Sequence, residues 1–399
     1  MKTITRTVWI LSLISLFTDM ASEMLYPIMP IFLQSIGFSI VLIGTLEGIA
    51  EATAGLCKGY FGKLSDNSGK RAPFIQFGYS LSAISKPMMA IFAYPVWIFF
   101  ARTIDRLGKG LRTGARDAML SDEATPQTKG KVFGFHRSAD TFGAVLGPAA
   151  ALVYLYFFPD DYKTLFLIAF FPGLAAIIST LFIKDKKSNQ PVIKKSTSFF
   201  SFLKYWKHSP PMYRKVVGGL LVFALFNSSD MLLLLNVKQS GMTDVQVIGI
   251  YIFYNLIYAL SAFPMGMLAD KFSLKAIFVS GLALFALVYL GMALTSNLII
   301  FLILFLIYGL YAAATEGISK AWISNITDKK DTATAIGCFA GYQSLAALFA
   351  SSFAGFLWFQ FGPEVAFIST SVVTVGVIGY FSFFYPETVN KSITIQNLS

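Results

Sequence analysis

Gly62-Lys63-Leu64-Ser65-Asp66-Asn67-Ser68-Gly69-Lys70-Arg71 is a short polar stretch lying between two long apolar segments. A partial copy, Gly266-Met267-Leu268-Ala269-Asp270-Lys271 followed by Lys275, repeats the Gly and the Asp 204 residues later, about half of the 399-residue chain. An offset of half the chain marks an internal duplication. Gly62 and Gly69 permit a tight turn, and an acid presented there can approach a helix N-terminus, where partial positive charge gathers. The pattern suggests a contact that forms in one state of the molecule and breaks in another. The plainer alternative is an ordinary set of solvated loop charges.

The segments around these stretches set the class. The chain is 55% apolar and only 13% charged, with 40 Phe and a mean hydropathy of +0.64. So few charges do not cover the surface of a soluble protein of this size, and the apolar runs recur along the whole chain. A water-soluble enzyme, a disordered chain and a fibrous one are all excluded on composition. Cys57 and Cys338 both sit in apolar runs, so no disulfide framework is expected. His136 and His208 are the two histidines, too few soft ligands for a transition-metal cage, and no cofactor motif is present. Lys2 and Arg6 precede an apolar run that continues past Asp19 and Glu23, so it reads as an uncleaved first span.

A bilayer core needs roughly 20 helical residues. Runs of that kind fall at 8–33, 40–61, 73–94, 95–118, 132–157 and 163–183, then at 216–236, 245–268, 276–295, 298–322, 334–359 and 365–385. These are the twelve expected spans, helical because strand alternation is absent. Of the 32 Lys and Arg, 21 fall in loops and tails on the side of the termini, while Lys163 and Lys238 alone fall opposite. That bias puts both termini in the cytoplasm of a bacterial-type inner membrane. The net charge of +11 is therefore a record of topology rather than a nucleic-acid footprint. One long hydrophilic connection divides the chain into 1–184, a linker 185–214, and 215–399. In the linker, Phe199, Phe200, Phe202, Leu203, Tyr205 and Trp206 mix with Lys204 and Lys207, which suits either a short helix at the lipid headgroups or a plain tether.

Here the chain resembles the major facilitator superfamily. Its loop signature, G-x-L-x-D-x-x-G-[RK]-[RK], is complete at 62–71 and lacks the second Gly in the later copy. The resemblance implies an all-α membrane fold of two pseudo-symmetric six-helix bundles that rock about a central cavity, lined by spans one, four, seven and ten. It also implies a latch in which Asp66 meets the start of span eleven near Thr332 and Thr334. Lys70 and Arg71 would then pair with Asp117 or Asp122, and Asp270 would act in the second half. Span five carries Gly143, Gly147 and Pro148, similar to the family's antiporter signature, with Ala151 and Leu152 standing where two further glycines are usual.

Ionisable residues inside spans are costly, so each should face protein or water and have a use. Asp19 and Glu23 lie one turn apart in span one, and Arg102, Asp105, Arg106 and Lys109 recur at helical spacing in span four. Span seven has Asn227 and Asp230, and span ten has Glu316 and Lys320. The four spans that the family resemblance assigns to the cavity thus all carry charge. Two carboxylates one turn apart in low dielectric resist ionising together, the property a proton carrier needs. Asp19, Glu23 and Asp230 are the candidates for proton coupling, or else partners that neutralise the arginines. Arg102 and Arg106 offer forked donors suited to an anionic group, or they balance Asp19, Glu23 and Asp105. Tyr26, Asn227 and Glu316 complete the substrate candidates. Glu47, Glu51 and Lys58 form a stripe suited to pairing between halves, Lys86 needs a nearby acid, and His136 with Asp140 forms a packed pair or a proton relay. Pro27 and Pro30 distort the outer part of span one.

The leading expectation is a monomeric secondary transporter of a small organic solute, coupled to protons and acting in efflux. An importer of an organic anion such as a carboxylate or siderophore is the alternative. A non-transporting receptor or lipid-handling protein on the same fold is the reading of another class.

Overall fold

The computed structural model describes residues 4–26, 28–29, 32–33, 36–38, 40–92, 94–159, 161–185 and 198–384. Pro27, Pro30 and the side chains of Glu47 and Glu51 lie outside this described part. The described chain is helical throughout. The first six spans are Arg6–Glu23, Ile40–Ser68, Ala72–Ile91, Pro95–Asp122, Lys129–Phe157 and Tyr162–Thr180. Span seven is divided into Pro211–Ala224 and Asp230–Gln239, and the last five spans are Asp244–Lys271, Leu274–Leu294, Leu298–Asn325, Thr332–Phe361 and Pro363–Phe384.

Three departures from the sequence expectation have physical causes. First, 62–68 is not a loop. It forms the last turns of the 29-residue second span, which at 1.5 Å per residue is about 44 Å long and outreaches a bilayer core of about 30 Å. The chain leaves the helix at Gly69, at φ 64°, in the left-handed conformation that glycine tolerates best, and Lys70 and Arg71 lead into the next span. Gly266 to Lys271 likewise ends the eighth span. Second, span seven breaks at 225–229, where Asn227 and Ser228 turn their side chains to the hydroxyls of Tyr311 and Tyr289. The Ser229 hydroxyl caps Met231 N and restarts the helix at Asp230. Third, the first span's helix ends at Glu23, although Met24, Leu25, Ile28, Met29, Phe32 and Leu33 stay buried beyond it.

Among the described residues, seven helices are long and apolar enough to cross a membrane by length and composition, namely spans five, six and eight to twelve. Span four is not among them because it carries Arg102, Asp105, Arg106, Arg112, Arg116 and Asp117. All six are buried among neighbouring helices, while Phe77, Val153, Phe171, Phe359 and Phe383 are exposed on the outside. Polar inside and apolar outside is the arrangement a hydrocarbon solvent demands.

Spans one, five and six pack together, as do two, three and four. In the second half, eight, nine and ten pack together, and twelve joins nine and eleven. The halves meet through span two on span eleven and span five on span eight. Under the half-chain repeat, these two contacts are images of each other. Both approaches are close on the side carrying the linker. A Cβ on Gly62 would lie 2.5 Å from the Ala333 carbonyl, and Gly266 abuts the Gly130 carbonyl. The linker joins this seal. Its Phe199–Lys204 turn inserts the fully buried Phe202 between Gly59 of span two and Gly341 of span eleven. The Gly143 and Gly147 stripe serves a different contact, letting span five lie directly on the span-one backbone at Leu16 to Met24.

Candidate functional site

The acids at the ends of spans two and eight act alike. The Asp66 side chain is buried, and its Oδ2 accepts from both Thr334 N and Thr334 Oγ1 at 2.7 Å, capping the start of span eleven across the interface between halves. Its Oδ1 accepts from Arg71 Nη1 at 2.5 Å, and Arg71 Nε lies 3.8 Å from Asp122 Oδ2. Asp270 accepts from Gly130 N at 2.8 Å and Lys131 N at 2.7 Å, capping the start of span five from the other half. Each carboxylate thus meets the orphan N–H groups and positive end of a helix in the opposite half. Asp117, grouped by sequence with Lys70 and Arg71, belongs elsewhere. It sits deeper, 2.8 Å from Lys320 Nζ of span ten and 2.9 Å from Arg116 Nη2. More than a full helical turn separates it from Asp122, which lies at the very end of span four beside Arg71.

Beyond this seal the halves diverge around a cavity of about 620 Å³. Its deep end is at Arg137 and Tyr258, and its far rim is at Lys238 and Val247. Asp19, Glu23 and Tyr26 of the first span face it, with Arg106 and Lys109 of span four. The opposite wall is Asp230 with Tyr251, Tyr254 and Tyr258. Glu23 Oε2 accepts from Tyr251 OH at 3.1 Å, a contact between halves. Asp230 accepts from Tyr254 OH at 2.6 Å and Tyr308 OH at 2.7 Å. The break in span seven places Asp230 at the cavity wall, as the first residue of a half-helix.

A cavity enclosed between two halves that are joined by exchanged helix caps is the architecture of an alternating-access carrier. Comparison with known proteins decides the matter. The Major Facilitator Superfamily profile matches residues 11–253 and 231–396. The chain belongs to this family. It is 31% identical over 380 residues to an uncharacterized MFS-type transporter of Methanocaldococcus jannaschii, covering 94% of each chain. It is 24% identical over 197 residues to a multi-drug resistance efflux pump of Streptococcus pneumoniae, covering 47% of this chain and 48% of the pump. In fold it is similar to the human organic anion transporter MFSD10, with a TM-score of 0.76 at 16% identity, covering 94% of this chain and 99% of that one. The protein is therefore a multi-pass membrane transporter that handles small molecules, and not an enzyme.

Within this superfamily transporter the other candidates are dispersed. Arg102 does not line the cavity. It is buried in span four, 3.9 Å from Asp105, whose Oδ1 also takes Lys86 Nζ at 2.8 Å. Asn227 points its amide at Tyr311 OH, 3.1 Å away, behind the cavity wall. Glu316 lies below the cavity floor, 3.7 Å from Arg137 Nη2. That floor is a charge cluster in which Arg116, Asp117 and Asp140 are buried and Arg137, Glu316 and Lys320 are half-buried. Arg137 Nη1 is 2.7 Å from Asp140 Oδ2, and Arg137 Nε donates to Tyr258 OH. His136 bonds Ser15 Oγ at 3.4 Å rather than Asp140, whose carboxylate is taken by Arg137 and approached by Arg116 at 4.0 Å. Asp117–Lys320 and Arg137–Glu316 both cross between the halves.

Sequence reasoning passed over Arg137 and the tyrosines. The tyrosines carried a signal, since 251, 254 and 258 fall on one helical stripe. Among the described residues, no cluster of His, Cys, Asp and Glu suits a metal.

Proposed function

We propose that this transporter is a proton-coupled exporter of a small organic solute, working by alternating access in a bacterial-type cytoplasmic membrane as a monomer. The halves 1–184 and 215–399 are its moving bodies and 185–214 is the tether between them. The Lys and Arg bias puts the linker and both termini in the cytoplasm, so the arrangement sealed at Gly62 and Gly130 is the outward-facing one.

The observation that carries the reading is the placing of Asp19 and Glu23 on the cavity wall beside Lys109 and Arg106. Carboxylates there reach water from the cavity and, after rocking, from the other side. Their proton affinity changes as Lys109, Arg137 and Tyr251 move against them. Proton uptake from outside and release inside then drives the return step that carries solute out. The partial likeness to a pneumococcal efflux pump and the Gly143–Gly147–Pro148 stripe support export. Arg106, Lys109 and Arg137 at the cavity favour the second reading, import of an organic anion.

Everted vesicles with an acidic lumen test the direction. Export predicts solute accumulation in the lumen, and import predicts none. In the same vesicles Asp19→Asn or Glu23→Gln should abolish gradient-driven flux while leaving counterflow exchange partly intact. Equal loss of both activities would assign these acids to structure or to solute binding.

A further inference from the structure

The two walls of the cavity differ in where their charged groups sit and in what surrounds them. On the first-half wall stand the cations Arg106 and Lys109, with Arg137 at the floor, and the acids there are the pair Asp19 and Glu23. On the second-half wall the acid is Asp230, with the cation Lys238 out at the rim and rings beside the acid: Tyr251 and Tyr254 are 5.6 Å apart edge to face, and Tyr254 and Tyr308 are 5.4 Å apart. The Tyr254 and Tyr308 hydroxyls donate to Asp230, which fixes its carboxylate. A carboxylate ringed by tyrosines is a receptor for an organic ammonium group, through charge and cation–π attraction. Arg106 and Lys109 are receptors for a carboxylate or phosphate group. Toward the far rim the lining turns apolar at Met231, Leu234, Leu235, Val247 and Ile248.

A ligand of a single charge would satisfy one wall and strip water from the other without replacing it, which is costly for the charged groups left behind it. A ligand carrying both charges satisfies both walls. A cavity of about 620 Å³ is in the range that encloses a drug-sized molecule. We propose that the cavity selects an amphipathic zwitterion. Its ammonium rests at Asp230 among Tyr251 and Tyr254, its anionic group at Arg106 and Lys109, and its apolar body along Leu234, Leu235 and Val247. This rests on the transport reading for the identity of the cavity as the solute site, and it names the solute's chemistry.

Equilibrium binding to the full-length protein in lipid nanodiscs tests it without any need for flux. Three probes share a tail: octanoylcarnitine has both charges, octanoylcholine has the ammonium alone, and octanoylglycine has the carboxylate alone. Octanoylcarnitine should bind at least about tenfold more tightly than either of the others. Asp230→Asn should weaken octanoylcarnitine and octanoylcholine by about tenfold and leave octanoylglycine unchanged. Arg106→Gln should weaken octanoylcarnitine and octanoylglycine and leave octanoylcholine unchanged. The unchanged octanoylglycine binding of Asp230→Asn and the unchanged octanoylcholine binding of Arg106→Gln show that each charge variant is folded.

Octanoylcholine binding as tightly as octanoylcarnitine, with no response to Arg106→Gln, would overturn the proposal in favour of a cation site. Octanoylglycine as the tightest ligand, with no response to Asp230→Asn, would overturn it in favour of an anion site. Binding of none of the three also overturns it. A correct binding pattern without proton-driven flux would instead retain the zwitterion site and refute the proton-coupled reading.

Discussion

The two signature stretches stand in equivalent places, yet one is the more elaborate lock. Asp66 and Asp270 both cap a helix of the opposite half, span eleven and span five respectively. Asp66 also receives the Thr334 hydroxyl and the Arg71 guanidinium, and Arg71 reaches on toward Asp122. The bonds to Asp270 both come from backbone, Gly130 N and Lys131 N. Phe202 of the linker adds to the span-two and span-eleven side of the seal. Duplication thus preserved the helix cap on both sides, while side chains and linker reinforced one of them. Helix N–H groups are present at every helix start, but side-chain partners depend on individual residues.

This difference can be broken by substitution. The largest effect is expected from Asp66→Ala, which strands Arg71 and uncaps span eleven. It should cost the sealed state about 3 kcal/mol, a shift of about a hundredfold toward opening on the linker side. Spin-label distances between the linker-side ends of spans four and ten would read this shift as a lengthened population. Asp270→Ala removes two backbone bonds and should cost about 1.5 kcal/mol, about tenfold, by the same distances. Equal effects of the two substitutions would mean that the extra partners of Asp66 contribute nothing. Arg71→Gln should cost about 1 kcal/mol, and combining it with Asp66→Ala should cost less than the sum, because the two side chains share one contact. Strict additivity would show that Arg71 acts through Asp122 alone. The smallest effect belongs to Lys70→Gln. Lys70 is exposed, and its loss should stay within about 0.5 kcal/mol. Any larger change in the measured distances would put Lys70 inside the lock.

Much of this lock is legible in the sequence. The position of Asp66 one turn ahead of Gly69 is a local pattern, and its target at Thr334 follows from the family that the pattern resembles. The charged residues of spans one, four, seven and ten point to an interior, because hydrocarbon does not tolerate them. What sequence spacing does not report is which neighbouring helix a charged face meets. Asp117 and Asp122 are five residues apart in one helix, yet Asp117 meets Lys320 deep between the halves and Asp122 meets Arg71 at the edge. Arg102 and Arg106, one turn apart, divide between the Asp105–Lys86 cluster and the cavity for the same reason.

Membrane class, the two-fold repeat and a capping acid in each half follow from the amino-acid order alone. Composition, hydropathy and short motifs act over a few residues and survive any packing. Three features wait on the packed helices: the break in span seven that sets Asp230 against Tyr254 and Tyr308, the floor of crossed ion pairs, and the opposition of Arg106 and Lys109 to the tyrosine wall. Each joins residues of different helices, and it exists only once the rotation and depth of every helix against its neighbours are set.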